Sequence, residues 1–147
     1  MNNKKKSYLF YCFLLILFLL SILPIQAQET ILEPRYLNKI VLCHDIEENE
    51  PVYESTSFYT WDEKVVCWIN FNYSSSTDSA ITWEWEDPNG NIYHKGDTKI
   101  EAVNYQNYRT WYWIGIRDKY ALNLPGTWKA RVYIDGLFIA EKDFTIR

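Results

Sequence analysis

The sequence predicts a single all-β domain behind an N-terminal export segment, and three observations carry that expectation. From Lys39 onward apolar residues recur with a period of two, the spacing at which alternate side chains of a strand share a face. Trp, Tyr, Val, Ile and Thr dominate the periodic segments and long amphipathic helical stretches are missing, a composition that suits a pleated, half-buried surface. Turn residues such as Asp87-Pro88-Asn89-Gly90 and Asp135-Gly136 separate the segments at short intervals. The 147 residues are 48% apolar and 18% aromatic with only five Gly and five Pro, which excludes collagen-like and low-complexity chains. The aromatics alone supply a core, since each can bury roughly 150–250 Å².

The first element is the export segment. Lys4, Lys5 and Lys6 precede a charge-free apolar run of 16 residues from Tyr8 to Leu23, closed by Pro24. That run is long for a secretory signal and short of the roughly 20 residues a spanning helix needs. Cleavage is expected after Ala27, giving a signal peptide over 1–27. Ile25 makes the site an imperfect small-residue one, so an uncleaved N-terminal anchor is the alternative and the leader the one route to a membrane. The expected location is secreted or periplasmic.

Residues 28–38, with Pro34, read as an irregular lead, and 39–147 as the domain. Its strands are expected at Lys39–Ile46, Glu63–Tyr73, Ala80–Glu86, Asn91–Lys95, Tyr108–Arg117, Thr127–Tyr133 and Leu137–Ile146. An acidic, Pro51-containing connection from Glu47 to Asp62 joins the first two, with Phe58 and Trp61 as docking residues. Between Asn91–Lys95 and Tyr108–Arg117, residues Gly96–Gln106 read as a loop. In Asp87-Pro88-Asn89-Gly90, Pro fixes φ at the second turn position and Gly takes the positive φ that closes a hairpin. For the last hairpin a two-residue loop would turn Glu141 and Asp143 toward the core. A three-residue loop of Ile134, Asp135 and Gly136 avoids this, pairing Tyr133 with Leu137, Val132 with Phe138 and Ala130 with Ala140.

Strands of this number and spacing suit an antiparallel two-sheet sandwich of immunoglobulin type. The run from Val41-Leu42-Cys43 through Glu50-Pro51-Val52, Ile81 to Trp85, Tyr108 to Trp111 and Leu124 to Trp128, on to Asp135-Gly136 and Phe144, resembles a family of small exported bacterial immunoglobulin-like β-sandwich domains of unknown function. The resemblance covers nearly all of the domain. It implies an envelope or secreted accessory module, not a catalyst. Where that family often carries a His, this chain has Trp83, so no role of such a His is carried over.

Loss of the leader removes three Lys and no acid, leaving twelve Lys and Arg against nineteen Asp and Glu, a net charge of −7. An acidic domain without a Lys/Arg block repels phosphodiester backbones, which disfavours a nucleic-acid partner. Two cysteines remain, Cys43 and Cys67. An even pair in an oxidising compartment permits one disulfide, whose 23-residue loop would stabilise by about 3 kcal/mol. Two buried free thiols are the alternative. His44 and His94 are too far apart in sequence to form a zinc site with these thiols, and neither a metal nor another cofactor is expected.

Sorting the strands by face isolates one surface. In Glu63–Tyr73 the side with Val65, Cys67, Ile69 and Phe71 is core, which sends Trp68, Asn70 and Asn72 outward. In Ala80–Glu86 the acids Glu84 and Glu86 face solvent and Ile81, Trp83 and Trp85 go in. In Tyr108–Arg117 the aliphatic side carries Tyr112, Ile114 and Ile116, leaving Arg109, Trp111, Trp113 and Arg117 on the other. Trp68, Asn70, Arg109, Trp111, Trp113 and Arg117 are therefore the candidate binding residues, because exposed indoles with polar neighbours mark contact surfaces.

Three readings remain open for that face: anchors for a protein partner or a second copy, a platform for sugar rings, or a surface covered by Phe58 and Trp61 of the Glu47–Asp62 connection. Glu84 and Glu86 lie about 6.6 Å apart by strand rise, near the separation of inverting glycosidase pairs, but a solvated acidic face explains them. No nucleophile motif or phosphate loop is present, the acids of Asp45–Glu54 lack calcium-loop spacing, and no catalytic residue is assigned. The expected function is non-catalytic recognition of a protein partner, with carbohydrate binding as the alternative and a glycoside hydrolase or purely structural role behind them.

Overall fold

The computed structural model describes residues 37–102 and 104–147. The signal segment, its cleavage site and most of the lead lie outside the described residues. Nine strands follow one another: β1 (Leu37–Glu47), β2 (Glu50–Glu54), β3 (Ser57–Phe58), β4 (Lys64–Ser74), β5 (Ser79–Glu86), β6 (Ile92–Ile100), β7 (Asn104–Gly115), β8 (Gly126–Ile134) and β9 (Leu137–Ile146). A 3₁₀ turn, Tyr120–Asn123, lies between β7 and β8. Four strands form one sheet in the order β2-β1-β4-β7 and five form the other, β3-β9-β8-β5-β6. Every pairing is antiparallel except β3 with β9. This is an immunoglobulin-like sandwich, with period-two side chains of both sheets interdigitating between them.

Several stretches expected as connection or loop are strand. The Glu47–Asp62 connection holds β2 and β3, the expected Gly96–Gln106 loop gives Gly96–Ile100 to β6 and Asn104–Gln106 to β7, and Leu37 and Asn38 of the lead begin β1. The Asp87 turn closes as expected, with Gly90 at φ 81°. The Asp87 carboxylate accepts from the amides of Asn89 at 2.8 Å and Asn91 at 3.0 Å.

The core is aromatic. Trp83, Trp85, Trp128, Phe58, Phe71 and Phe144 are fully buried. Phe144 is met edge-on by Phe58 at 5.8 Å and Trp85 at 5.9 Å, while Trp128 stacks on it at 6.0 Å. Phe58 thus belongs to the interior, placed there by the parallel pairing of Ser57 and Phe58 with Thr145 and Ile146. It is not a cover for the outer face. Trp61 is no cover either: it is 67% exposed and stacks on Tyr59 at 4.5 Å.

The last hairpin corrects the expected register. Asp135 (φ 49°) and Gly136 (φ 80°) form a two-residue turn, so Ile134 faces Leu137 and Tyr133 faces Phe138. A bulge then intervenes, and Val132 pairs with Ala140, Arg131 with Glu141 and Trp128 with Phe144. The extra residue, Ile139, flips the parity of everything after it, so Glu141 turns outward although the turn is short.

The two cysteines are free and buried, and no disulfide joins them. Cys43 pairs with Val66, whereas Cys67 pairs with Leu42. Residues directly opposite share a face, so the two thiols project to opposite sides of the same sheet and cannot approach. Burial, with Glu54 nearby, pushes the Cys43 thiol up to about 11, and complete burial raises Cys67 well above the ordinary range. At pH 8 only about one Cys43 in a thousand is then thiolate.

The sheets also meet at one constrained point. A Cβ on Gly96 of β6 would lie 2.4 Å from the Tyr112 ring of β7, so glycine is what lets that ring pack beside Trp83 and His94.

Two outcomes follow. A thiol reagent at pH 8 labels neither cysteine in the native protein and both after denaturation, and added reductant leaves the melting midpoint unchanged. Gly96→Ala destabilises by about 1–3 kcal/mol through overpacking, measured by urea unfolding, and the loss shrinks when Tyr112→Ala removes the ring.

Candidate functional site

The outer face of the four-stranded sheet is built by the same alternation that fills the core. On β4 and β7 the register sets Val66 against Trp113, Trp68 against Trp111 and Asn70 against Arg109. All six therefore share the side opposite Cys67, Tyr112 and Ile114. Residues on this face run from fully covered to open: Trp68 is 2% exposed, Trp111 half-buried and Trp113 54% exposed.

The cover over Trp68 is the β1–β2 hairpin. Glu47 faces Glu50, and Glu48 (φ 49°) and Asn49 (φ 66°) make a two-residue turn of the kind that matches strand twist. This tip bends over the sheet, where the Trp68 indole donates to the Asn49 carbonyl at 3.0 Å. Glu50 reaches farther, to the Arg109 guanidinium of β7 at 3.0 Å.

Between the tip and β7 lies a cleft of about 360 Å³, lined by Asp45, Ile46, Glu48, Asn49, Lys64, Val66, Trp111 and Trp113. Lys64 donates to Asp45 at 2.7 Å, and that bond, followed by the Ile46 amide, holds the Asp45 carboxyl below its ordinary range. A second hollow, of about 350 Å³, lies on the other side of Trp113, against His94 and Tyr112. Trp113 stands between the two.

The structure thus brings Trp111 and Trp113 together in one cleft, with Arg109 outside its lining on the same face of β7. It does not bring in the other candidates. Trp68 is a buried support beneath the hairpin. Asn70 is engaged away from the cleft, accepting from Asn38 at 2.8 Å, in a cluster with Asn72 and Asn107. Arg117 lies beyond the end of β7, exposed, 3.9 Å from Glu63. Asp45, Glu48, Asn49 and Lys64 escaped the sequence reading, because nothing in an acidic connection marks Glu48-Asn49 as a hairpin tip; Glu48 is a poor residue for positive φ.

The acidic pair on β5 is a different arrangement. Arg131 lies among Glu86 at 2.7 Å, Glu141 at 2.6 Å and Glu84 at 3.4 Å. Its hydrogen bonds to Glu141 and Glu86 raise the guanidinium above its ordinary value. Partial burial raises the Glu141 carboxyl, but the bonds from Arg131 and Lys129 outweigh it and the net direction is down. These acids are occupied by a cross-strand ion ladder, and the hollow beside Glu84 measures about 220 Å³. No group of three or more His, Cys, Asp or Glu among the described residues is arranged to hold a metal ion.

The Glu141 direction fixes a sign. A carboxyl lowered in the folded state stabilises fully above its unfolded value of 4.5 and loses that contribution as pH falls through the lower folded value. Arg131→Met therefore lowers the melting midpoint at pH 7, and its difference from the parent narrows as pH drops toward 3, read by thermal melts across that range.

No family model and no curated protein matches the chain. Among solved structures, the chain is similar to an immunoglobulin-like protein from Pseudomonas aeruginosa at 17% identity and a TM-score of 0.55, over 77% of this chain and 95% of that one. That likeness establishes the immunoglobulin-like fold. A second structure, the alkylpurine DNA glycosylase AlkC of Pseudomonas fluorescens bound to DNA with an abasic-site analogue, aligns at 12% identity and a TM-score of 0.46, over 63% of this chain and 27% of that one, and carries no argument.

Proposed function

We propose that the chain is an exported, non-catalytic recognition module that holds a protein partner on the outer face of its four-stranded sheet, at Trp111 and Trp113. The observation that carries this reading is the uneven treatment of three indoles on one face. Trp68 is roofed and hydrogen-bonded, yet Trp113 is left more than half exposed beside an open cleft. Leaving a large apolar ring in water forgoes roughly 2 kcal/mol of burial, and a ring exposed beside a second indole and polar neighbours is the kind of patch that an interaction surface uses. Tryptophan and arginine are also the residue types that anchor protein interfaces, and Arg109 shares the outer face of β7 with Trp111 and Trp113. Export rests on the leader, with its lysines and apolar run. The non-catalytic reading is supported by the pairing of Glu84 and Glu86 of β5 with Arg131.

The test is a comparison of the parent with a Trp111→Ala/Trp113→Ala variant of matching unfolding midpoint. Proteins captured by the parent from the cells that make it, identified and then titrated in purified form, bind the variant at least about 30-fold more weakly if these rings are anchors worth 2 kcal/mol or more. A polysaccharide array run in parallel decides the alternative: glycan binding that needs Trp111, without a captured protein, replaces the protein reading with a carbohydrate one. Equal partner affinity in parent and variant overturns both.

A further inference from the structure

We infer that the chain pairs with a second copy of itself along β7, antiparallel about a two-fold axis at Trp111, joining two four-stranded sheets into one of eight strands. The inference rests on the reading of this region as a contact surface and supplies the partner.

The two sheets have four edges, and three are protected against pairing. β2 is five residues long, contains Pro51 and has Tyr53 at φ 55°. β3 is two residues long. β6 presents Lys95, Asp97 and Lys99, all exposed, at alternate positions. Short length, proline, irregular backbone and edge charge are the devices that keep strands from recruiting another chain. β7 has almost none of them. It runs twelve residues with no Pro, Lys, Asp or Glu, and Arg109 is its one charge. Its irregularity is confined to one end, at Asn107 (φ 56°), while Tyr108–Gly115 keeps an unbroken register with β4. β4 is its only sheet neighbour, and no turn or loop backbone group among the described residues hydrogen-bonds to it. One side of its ladder is therefore free for a further strand.

The side chains select the register. Directly opposed residues in an antiparallel pair share a face, so a two-fold at Trp111 sets Trp111 against its own copy and Arg109 against the copy's Trp113, twice over. Each guanidinium then lies over an indole, a favourable contact, and the two central indoles cover each other. The existing Arg109–Glu50 pair is no obstacle, since both side chains are nearly half exposed and such pairs are weakly held. The net charge of each copy opposes association in general, but this edge contributes no acid to that repulsion.

Sedimentation velocity on the protein produced from the full chain, over a wide concentration range, is expected to show a species of twice the chain mass. Trp111→Lys sets two like charges against each other at the axis and is expected to sediment at the chain mass, with an unchanged circular dichroism spectrum as the folding check. Trp111→Cys forms a disulfide-linked dimer on mild oxidation, whereas Trp113→Cys, opposite Arg109, does not; a mixture of Arg109→Cys and Trp113→Cys chains does. A parent that stays at the chain mass at every concentration overturns the inference, as does a dimer that survives Trp111→Lys or a Trp113→Cys variant that cross-links as readily as Trp111→Cys. A monomeric parent whose captured heterologous partner still needs Trp111 and Trp113 defeats the second-copy inference alone and leaves the recognition reading standing.

Discussion

The parity of β9 against β8 is the constraint on which the sandwich depends. The structure turns between them in two residues, Asp135-Gly136, and such a turn followed by straight pairing would bring Glu141 and Asp143 to the inner face. Burying two carboxylates opposite Ala130 and Trp128 would cost several kcal/mol each. One unpaired residue, Ile139, removes that cost by shifting the register once, which turns Glu141 to Arg131 and delivers Phe144 to Trp128, Trp85 and Phe58. The turn is held from outside as well. Asp135 accepts from the Ser79 hydroxyl at 2.6 Å and the Ala80 amide at 2.9 Å, and Ser79 in turn accepts from Tyr73 of the opposite sheet. The hairpin, the start of β5 and the end of β4 are thereby fixed together.

With the inner faces committed to aromatic packing, the outer faces are free to diverge, and they do. On the five-stranded sheet the exposed positions of β5, β8 and β9 alternate in charge: Arg131 is shared among three glutamates, and Lys129 among Glu141 and Asp143. On that face the charges are paired with one another. On the four-stranded sheet the corresponding positions carry Val66, Trp68, Trp111 and Trp113, and the hairpin tip covers only part of them. The contrast is chemical and not topological, so the recognition reading rests on residues and not on the fold, which by itself fits many functions.

Much of this was legible in the sequence because period two reports sidedness directly. Trp83 and Trp85 inward, Trp111 and Trp113 outward, and the Asp87 turn all follow from alternation and turn chemistry. What escaped was non-local. Phe58 reaches the core through a two-residue parallel pairing with β9, too short to leave a pattern. Trp68 reads as outward, which is correct for its strand face, but its burial comes from a hairpin folded over that face. The two cysteines, close in the sheet, fail to meet because one register step separates their faces, and a spacing count cannot see register. The bulge at Ile139 is a third solution between two loop lengths, chosen by the core as a whole.

The hairpin tip shows how the face is set. Glu48 has a positive φ, a conformation costing a residue with a Cβ on the order of 1 kcal/mol or more, and such strain persists only where surroundings over-determine it. One contact does so here: the Asn49 carbonyl is held by the buried Trp68 indole. The hydrogen bond to an indole in a buried setting is worth about 1 kcal/mol, similar to the strain it offsets. Trp68 is therefore spent on holding the tip down, and the tip in turn forms one wall of the cleft in which Trp111 and Trp113 stand. Remove the latch and that wall of the cleft loses the contact that holds it.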